Sequence, residues 1–178
     1  MAIYASRGNS ESFTPAPVGV HQAVCVDVVD LGVLEVTWAG QTKKQHKVKV
    51  VWQIEELMAS GKPFLVSNRY TLSLHEKSRL RADLQAWRGR PFTEDELHRF
   101  DLETLIGVNC LLNVIHKTSE KTNAVFANIA ALMPLKKGMD KIVASNYRRV
   151  VDRVPEDEQT PTDAPDEPPP ITDDDIPF

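Results

Sequence analysis

The sequence predicts a mainly β protein: an antiparallel barrel of five to six strands with an inserted helix, followed by a disordered acidic C-terminal tail. Three observations predict it. Apolar side chains alternate with polar ones over much of residues 18–133, the period-two pattern of half-buried strands. Around residues 76–88 the period becomes 3.6, the mark of an amphipathic helix. Beyond residue 153 the chain turns to proline and acid, with seven of the 12 prolines, nine acids and no Lys or Arg in residues 154–178.

Taken in order, residues 1–14 are small and polar and read as an N-terminal arm. Val20, Val24, Val26 and Val28 mark a first strand, and Asp30, Leu31 and Gly32 a turn. Leu34, Val36 and Trp38 alternate with Glu35 and Thr37 in a second strand, and residues 39–45 form a polar connection. In a third strand His46, Val48, Val50, Trp52 and Ile54 share one face, and Lys47, Lys49, Val51 and Gln53 the other. Residues 55–58 predict a turn or short helix, and residues 64–74 a further strand rich in good strand formers. Leu80, Leu84 and Trp87 then line one side of a helix that Gly89 and Pro91 stop. Thr93 and Glu96 have the spacing of a capping box for a second short helix reaching Phe100. Residues 107–116 and 125–133 are strands joined by a polar hairpin, with Val108, Cys110, Leu112 and Val114 expected on one side. Residues 139–151 close the body as a helix or strand.

Strands, then a helix, then a closing hairpin fit an OB-fold, the oligonucleotide-binding barrel, over residues 15–151. Few strands are followed by a helix, so a doubly wound parallel sheet fits poorly. An SH3-like barrel or a small α+β sandwich has a similar strand count. Residues 152–178 form the tail, which has too few apolar side chains to offset the entropy of ordering.

Charge divides along the chain. The whole carries 21 basic and 25 acidic residues, net −4; with nine acids in the tail, residues 1–153 hold 16 acids and all 21 bases, net +5. A length of 178 residues supports one core with an appendage. No run approaches the roughly 20 apolar residues of a membrane span, and the start lacks the basic-then-apolar pattern of an export signal. Cys25 and Cys110 lie among apolar neighbours and are expected as reduced core residues of an intracellular protein.

Catalytic chemistry finds little support. There is no glycine-rich phosphate loop, CxxC, HExxH or G-x-S-x-G, and the five histidines lack metal-ligand spacing. The Asp173, Asp174 and Asp175 run does not form a fixed oxygen cage, so no metal, cofactor or enzymatic activity is expected.

The body suits a nucleic-acid backbone better. Lys47 and Lys49 project from one strand face with Lys43 and Lys44 at the hairpin tip. Arg69 follows in the next strand, Arg88 and Arg90 accompany the helix, and Lys117 and Lys121 sit at the last hairpin. Such cations neutralise phosphates, while Trp38, Trp52, Tyr70 and Phe126 offer rings for unpaired bases, with Tyr147 and the arm's Tyr4 and Phe13 as further rings. Core packing competes for these rings. Trp52 shares its face with Val48, Val50 and Ile54, Trp38 accompanies Leu34 and Val36, and Trp87 lies on the helix's apolar stripe.

The chain ends in Ile171, Thr172, Asp173, Asp174, Asp175, Ile176, Pro177 and Phe178. This ending resembles the acidic tip of bacterial and phage single-stranded-DNA-binding proteins, and residues 80–107 resemble a stretch common in phage-encoded members of that group. The resemblance implies an OB-fold protein of bacteriophage DNA replication and recombination in the cytoplasm of an infected bacterial cell. It coats single-stranded DNA without sequence preference and recruits replication and recombination proteins through its tip. Phe178 and Ile176 would then supply apolar contacts, Pro177 would restrict the unbound conformations, and Asp173, Asp174 and Asp175 would meet a basic rim. Two alternatives stand beside coating: a mediator that anneals single strands, and an assembly adaptor whose barrel binds protein. The oligomeric state stays open.

Overall fold

The computed structural model describes residues 14–153. Residues 154–178 of the tail, including its tip from Asp173 to Phe178, and the arm's Tyr4 and Phe13 lie outside the described residues. Five strands, β1 (Gly19–Trp38), β2 (Gln41–Leu57), β3 (Pro63–Thr71), β4 (Asn109–Thr118) and β5 (Val125–Pro134), form one antiparallel sheet in the order β3-β2-β1-β4-β5. Two helices, α1 (Arg79–Arg88) and α2 (Glu94–His98), lie between β3 and β4.

The expected closed barrel is corrected to an open sheet. β3 and β5 are its edges, and although their Cα atoms approach within 8 Å, no ladder joins them. Helix α1 packs against both edges and buries Leu80, Leu84 and Trp87 there. Opposite the step from Asn113 to Val114, β5 carries one extra residue, Ala130, and its carbonyl faces Arg79 Nη2 at 3.5 Å.

The expected turn at Asp30–Gly32 is also corrected, because β1 runs through it. The pairing shifts by one residue between Asp30 and Gly32; Gly32 takes φ +69°, and its amide donates to the Asp30 carboxylate at 2.7 Å. A positive-φ glycine in a strand is the geometry of a bulge, so the turn chemistry is real but re-aims the strand rather than reversing it. Reversal comes at Ala39 and Gly40, with φ +51° and +76°, between the paired Trp38 and Gln41. A two-residue turn with both φ positive matches the twist of the flanking strands. Lys43 and Lys44 therefore lie within β2, not at the tip.

Pairing of β1 with β4 stops at Val24, and pairing of β2 with β3 begins at Lys47. The six pairs from Val33–His46 to Trp38–Gln41 thus form a two-stranded ribbon. It reaches roughly 20 Å beyond the sheet at the ordinary rise per residue.

One sheet face carries the core: Ala23, Cys25, Val48, Val50, Trp52, Ile54, Cys110, Leu112 and Val114, with α1 against it. Trp87 meets Trp52 with ring centroids 5.8 Å apart, and its Nε1 donates to Asn109 O. The helix ends as expected, with Gly89 left-handed and donating to Gln85 O. Both bonds of the Thr93–Glu96 capping box are present. Val108, expected with Cys110, Leu112 and Val114, lies just before β4 and is exposed.

Both cysteines are buried with free thiols. Burial pushes the Cys25 thiol up to about 12 and raises Cys110 as well. A thiolate-directed reagent at neutral pH should label neither in the folded protein and both in denaturant; rapid native labelling would contradict this packing.

Residues 139–153 are neither the expected helix nor strand. They cross the opposite sheet face as a strap, ending in a 3₁₀ turn at Val150–Asp152. Asn109 exchanges two 2.9 Å hydrogen bonds with the Ile142 backbone, and Gln53 does the same with Ser145 at 2.7 and 2.8 Å. Side-chain amides here replace a strand ladder, which accounts for two buried polar residues of the sheet. Among the described residues no helix is long and apolar enough to cross a membrane.

Candidate nucleic-acid interface

Strand parity assembles the site. Side chains two apart in β2 share a face, so Lys43, Lys47 and Lys49 project together from the face opposite the core. Cross-strand pairing adds Arg69 beside Lys49, and Val36 and Trp38 beside Lys43 and Gln41. Lys44 is on the other side of the ribbon, paired with Glu35. Trp38 is 82% exposed at the ribbon's end, while Val33 and Leu34 are exposed along its length.

These cations are available. Among the described residues, Lys43, Lys47, Lys49 and Arg69 make no ion pair; Lys47 donates to Oγ1 of its cross-strand partner Thr71 at 2.8 Å, which ties its ammonium to β3. A row of unpaired cations ending at a bare indole can neutralise a chain of phosphates and stack a base.

Four of the expected contact residues belong elsewhere. Trp52, 1% exposed, is core and presents no ring to a base. Tyr70 is also buried; its hydroxyl donates to Asp83 Oδ2 at 2.9 Å, and burial and that carboxylate raise its pKa. Arg88 pairs with Glu96 and lies 4.5 Å over the Phe92 ring and 5.3 Å over Phe100. Arg90 pairs with the same Glu96 at 3.0 Å. Arg88, Arg90 and the Thr93 amide hold the Glu96 carboxyl down at about 2. Both arginines thus brace α2 rather than join the cationic row.

Lys117 and Lys121 are exposed at the β4–β5 hairpin, and Lys117 is in register with the half-exposed Phe126. The hairpin is separate from the β2–β3 row. Among the described residues no three His, Cys, Asp or Glu come together to hold a metal ion.

Sequence reasoning missed Asp27. It is fully buried and accepts from Tyr147 Oη at 2.9 Å, Arg149 Nε at 3.2 Å and the Val150 amide at 2.8 Å. Burial pushes its carboxyl up, but those three donors outweigh burial and hold the pKa below the usual carboxylate value. Its signal was visible: one acid inside the apolar run from Ala23 to Val29 needs a partner. Tyr147, expected as a possible stacking ring, instead serves this clasp, where burial and Asp27 raise its hydroxyl to about 12.

Comparison with known proteins finds no matching family model and no matching curated protein.

Proposed function

We propose that this protein binds single-stranded DNA without catalysis and with little sequence preference, on the outer face of β2 and β3 and along the ribbon. One observation carries the reading: Lys43, Lys47, Lys49 and Arg69 share a face, none of the four is ion-paired among the described residues, and that face leads to an exposed Trp38. Phosphate contacts and stacking carry little base information, so binding is general. The five-stranded order with α1 between β3 and β4 is compatible with an OB-fold, here with its closing ladder replaced by helix packing. The preference for DNA and the role in phage replication and recombination rest on the resemblances of residues 80–107 and of the chain's ending, and recruitment of partners through Asp173, Asp174, Asp175, Ile176, Pro177 and Phe178 on that of the ending.

Titrating the protein with oligo-dT of about 16 nucleotides and with a duplex of equal length tests this, with Trp38 as the exposed reporter. The expected result is a fluorescence change with the single strand at concentrations where the duplex gives none. No response to either, even at low salt, would turn the reading toward a protein-binding adaptor. The double variant Lys49→Ala/Arg69→Ala should lower the salt slope by about 1.4 and weaken binding roughly 25-fold at 0.1 M salt. An unaltered slope would remove these two residues from the interface.

A further inference from the structure

The ribbon that carries Trp38 joins the body only at its root, and that root is supported unevenly. On the β2 side the sheet holds it: the Leu72 amide donates to His46 O at 2.8 Å, and Thr71 Oγ1 donates to Gln45 Oε1 at 3.3 Å. On the β1 side no strand lies alongside, since pairing with β4 ends at Val24. There the ladder also loses a step: Leu31 is skipped between the Asp30–Val48 and Gly32–Lys47 pairs, and Gly32 takes φ +69°. A bulge bends its strand and so decides the direction in which the ribbon leaves. A two-stranded ribbon is at best marginally stable alone, so its orientation depends on how this root is held.

One carboxylate spans the weak point. Asp30 Oδ1 accepts from the Gly32 amide at 2.7 Å, past the skipped residue, and from His46 Nε2 at 2.6 Å, across the ladder. His46 belongs to the first pair of the ribbon, with Val33. The two bonds therefore tie the last body residue before the bulge to both strands beyond it. The Gly32 amide first, and His46 after it, hold the Asp30 carboxyl below the usual carboxylate range. The pair is open to solvent, and such pairs contribute little to global stability, so its effect is on direction.

We propose that Asp30 and His46 are positioning residues: they lock the bulge at the root of the ribbon, so that Trp38 stands in line with Lys47, Lys49 and Arg69 before any strand binds. This rests on the assignment of that face to single-stranded DNA. A ribbon free to pivot at Gly32 has to be re-ordered on binding, and that ordering cost is subtracted from the stacking gain. The clamp itself contacts no base or phosphate; it acts through the ring it aims.

Two readouts on the full chain test the clamp. His46→Ala breaks only the bond across the ladder, Asp30→Ala breaks both bonds, and Asp30→Asn keeps an oxygen for both donors. Spin labels on Glu35→Cys in the ribbon and Ala86→Cys on α1, both exposed, report the ribbon's orientation, since the native cysteines are buried. The distance distribution should be narrow with Asp30 and His46 present, broad in both alanine variants, and narrow again in Asp30→Asn. In unlabelled protein the alanine variants should lose roughly 3- to 10-fold in affinity for oligo-dT of about 16 nucleotides, the scale of re-ordering a few groups. In a Trp38→Ala background the same substitutions should cost less than about twofold, because the ring they aim is gone. Unbroadened distances, a loss undiminished without Trp38, or no recovery in Asp30→Asn would overturn the clamp while leaving the face assignment standing. A wild type that ignores oligo-dT overturns the face assignment itself, and with it the purpose of the clamp, whatever the distances show.

Discussion

Asp27→Ala should destabilise the protein by about 3 kcal/mol in urea unfolding and release the strap from the sheet. The carboxylate is fully buried and accepts from a hydroxyl, a guanidinium and a backbone amide. Hydrogen bonds to a charged acceptor contribute roughly 1.5–3 kcal/mol each, but they are not additive here. Arg149, only 26% exposed, keeps Glu103 at 2.8 Å, so the variant does not strand an unpaired buried cation. That retained partner places the loss at the lower end of the range for broken buried pairs. The Val150 amide, which loses its acceptor, should exchange hydrogen faster in the variant. A change under about 0.5 kcal/mol, typical of an ordinary surface site, would show that the clasp holds nothing.

The same carboxylate sets an acid limit. Its pKa is lower folded than unfolded, so the unfolded chain binds the extra proton first as pH falls. Its stabilisation is complete above the unfolded value of about 3.9 and is lost as pH drops through the folded value. The acid limb of the stability curve should therefore be shallower in Asp27→Ala than in the wild type; identical limbs would assign acid unfolding to other carboxylates.

Trp38→Ala should weaken single-strand binding by about 5- to 150-fold, the range for losing one base–aromatic stack of roughly 1–3 kcal/mol. Trp38 is 82% exposed at the end of the ribbon, so the substitution should leave the folded body unchanged within about 0.5 kcal/mol. The salt slope should stay the same because no cation is removed, which separates this loss from that of Lys49→Ala/Arg69→Ala. Trp38→Phe should recover most of the affinity. Most of the fluorescence response should vanish in both variants, since Trp52 and Trp87 are buried. An affinity within twofold of wild type would take Trp38 out of the interface.

The legible parts of the site were those governed by local periodicity. Lys47 and Lys49 had to share a face because strand side chains alternate, and Arg69 followed in the adjacent strand. The Leu80, Leu84 and Trp87 stripe, the glycine stop and the capping box are likewise short-range, and all stand where the spacing put them. The turn residues misled for a definable reason. Asp30 and Gly32 make the same local hydrogen bond in a turn as in a bulge, and only the partner strand decides whether the chain reverses. That error cut one strand in two and set Lys43 and Lys44 at a tip. It hid the ribbon, and with it the exposure of Trp38.

Arg88 and Arg90 show the complementary failure. A cation near a helix reads the same whether it faces solvent or a carboxylate, and Glu96 became their partner only when α2 packed back against the end of α1. Trp52 and Tyr70 were undecidable between ring platform and core until the sheet showed which face α1 covers.

Composition and alternation were enough to determine a mainly β body with net positive charge, one amphipathic helix, and the pairing of cations along one strand face. These depend on interactions within a few residues, and the chain states them directly. Which cations remain free, which indole meets water, that the sheet stays open with α1 packed across its edges, and that Asp27 anchors a strap from more than a hundred residues away were decided by tertiary structure alone. Each depends on groups far apart in sequence, whose meeting is set by the collective packing of the sheet and carries no local signature.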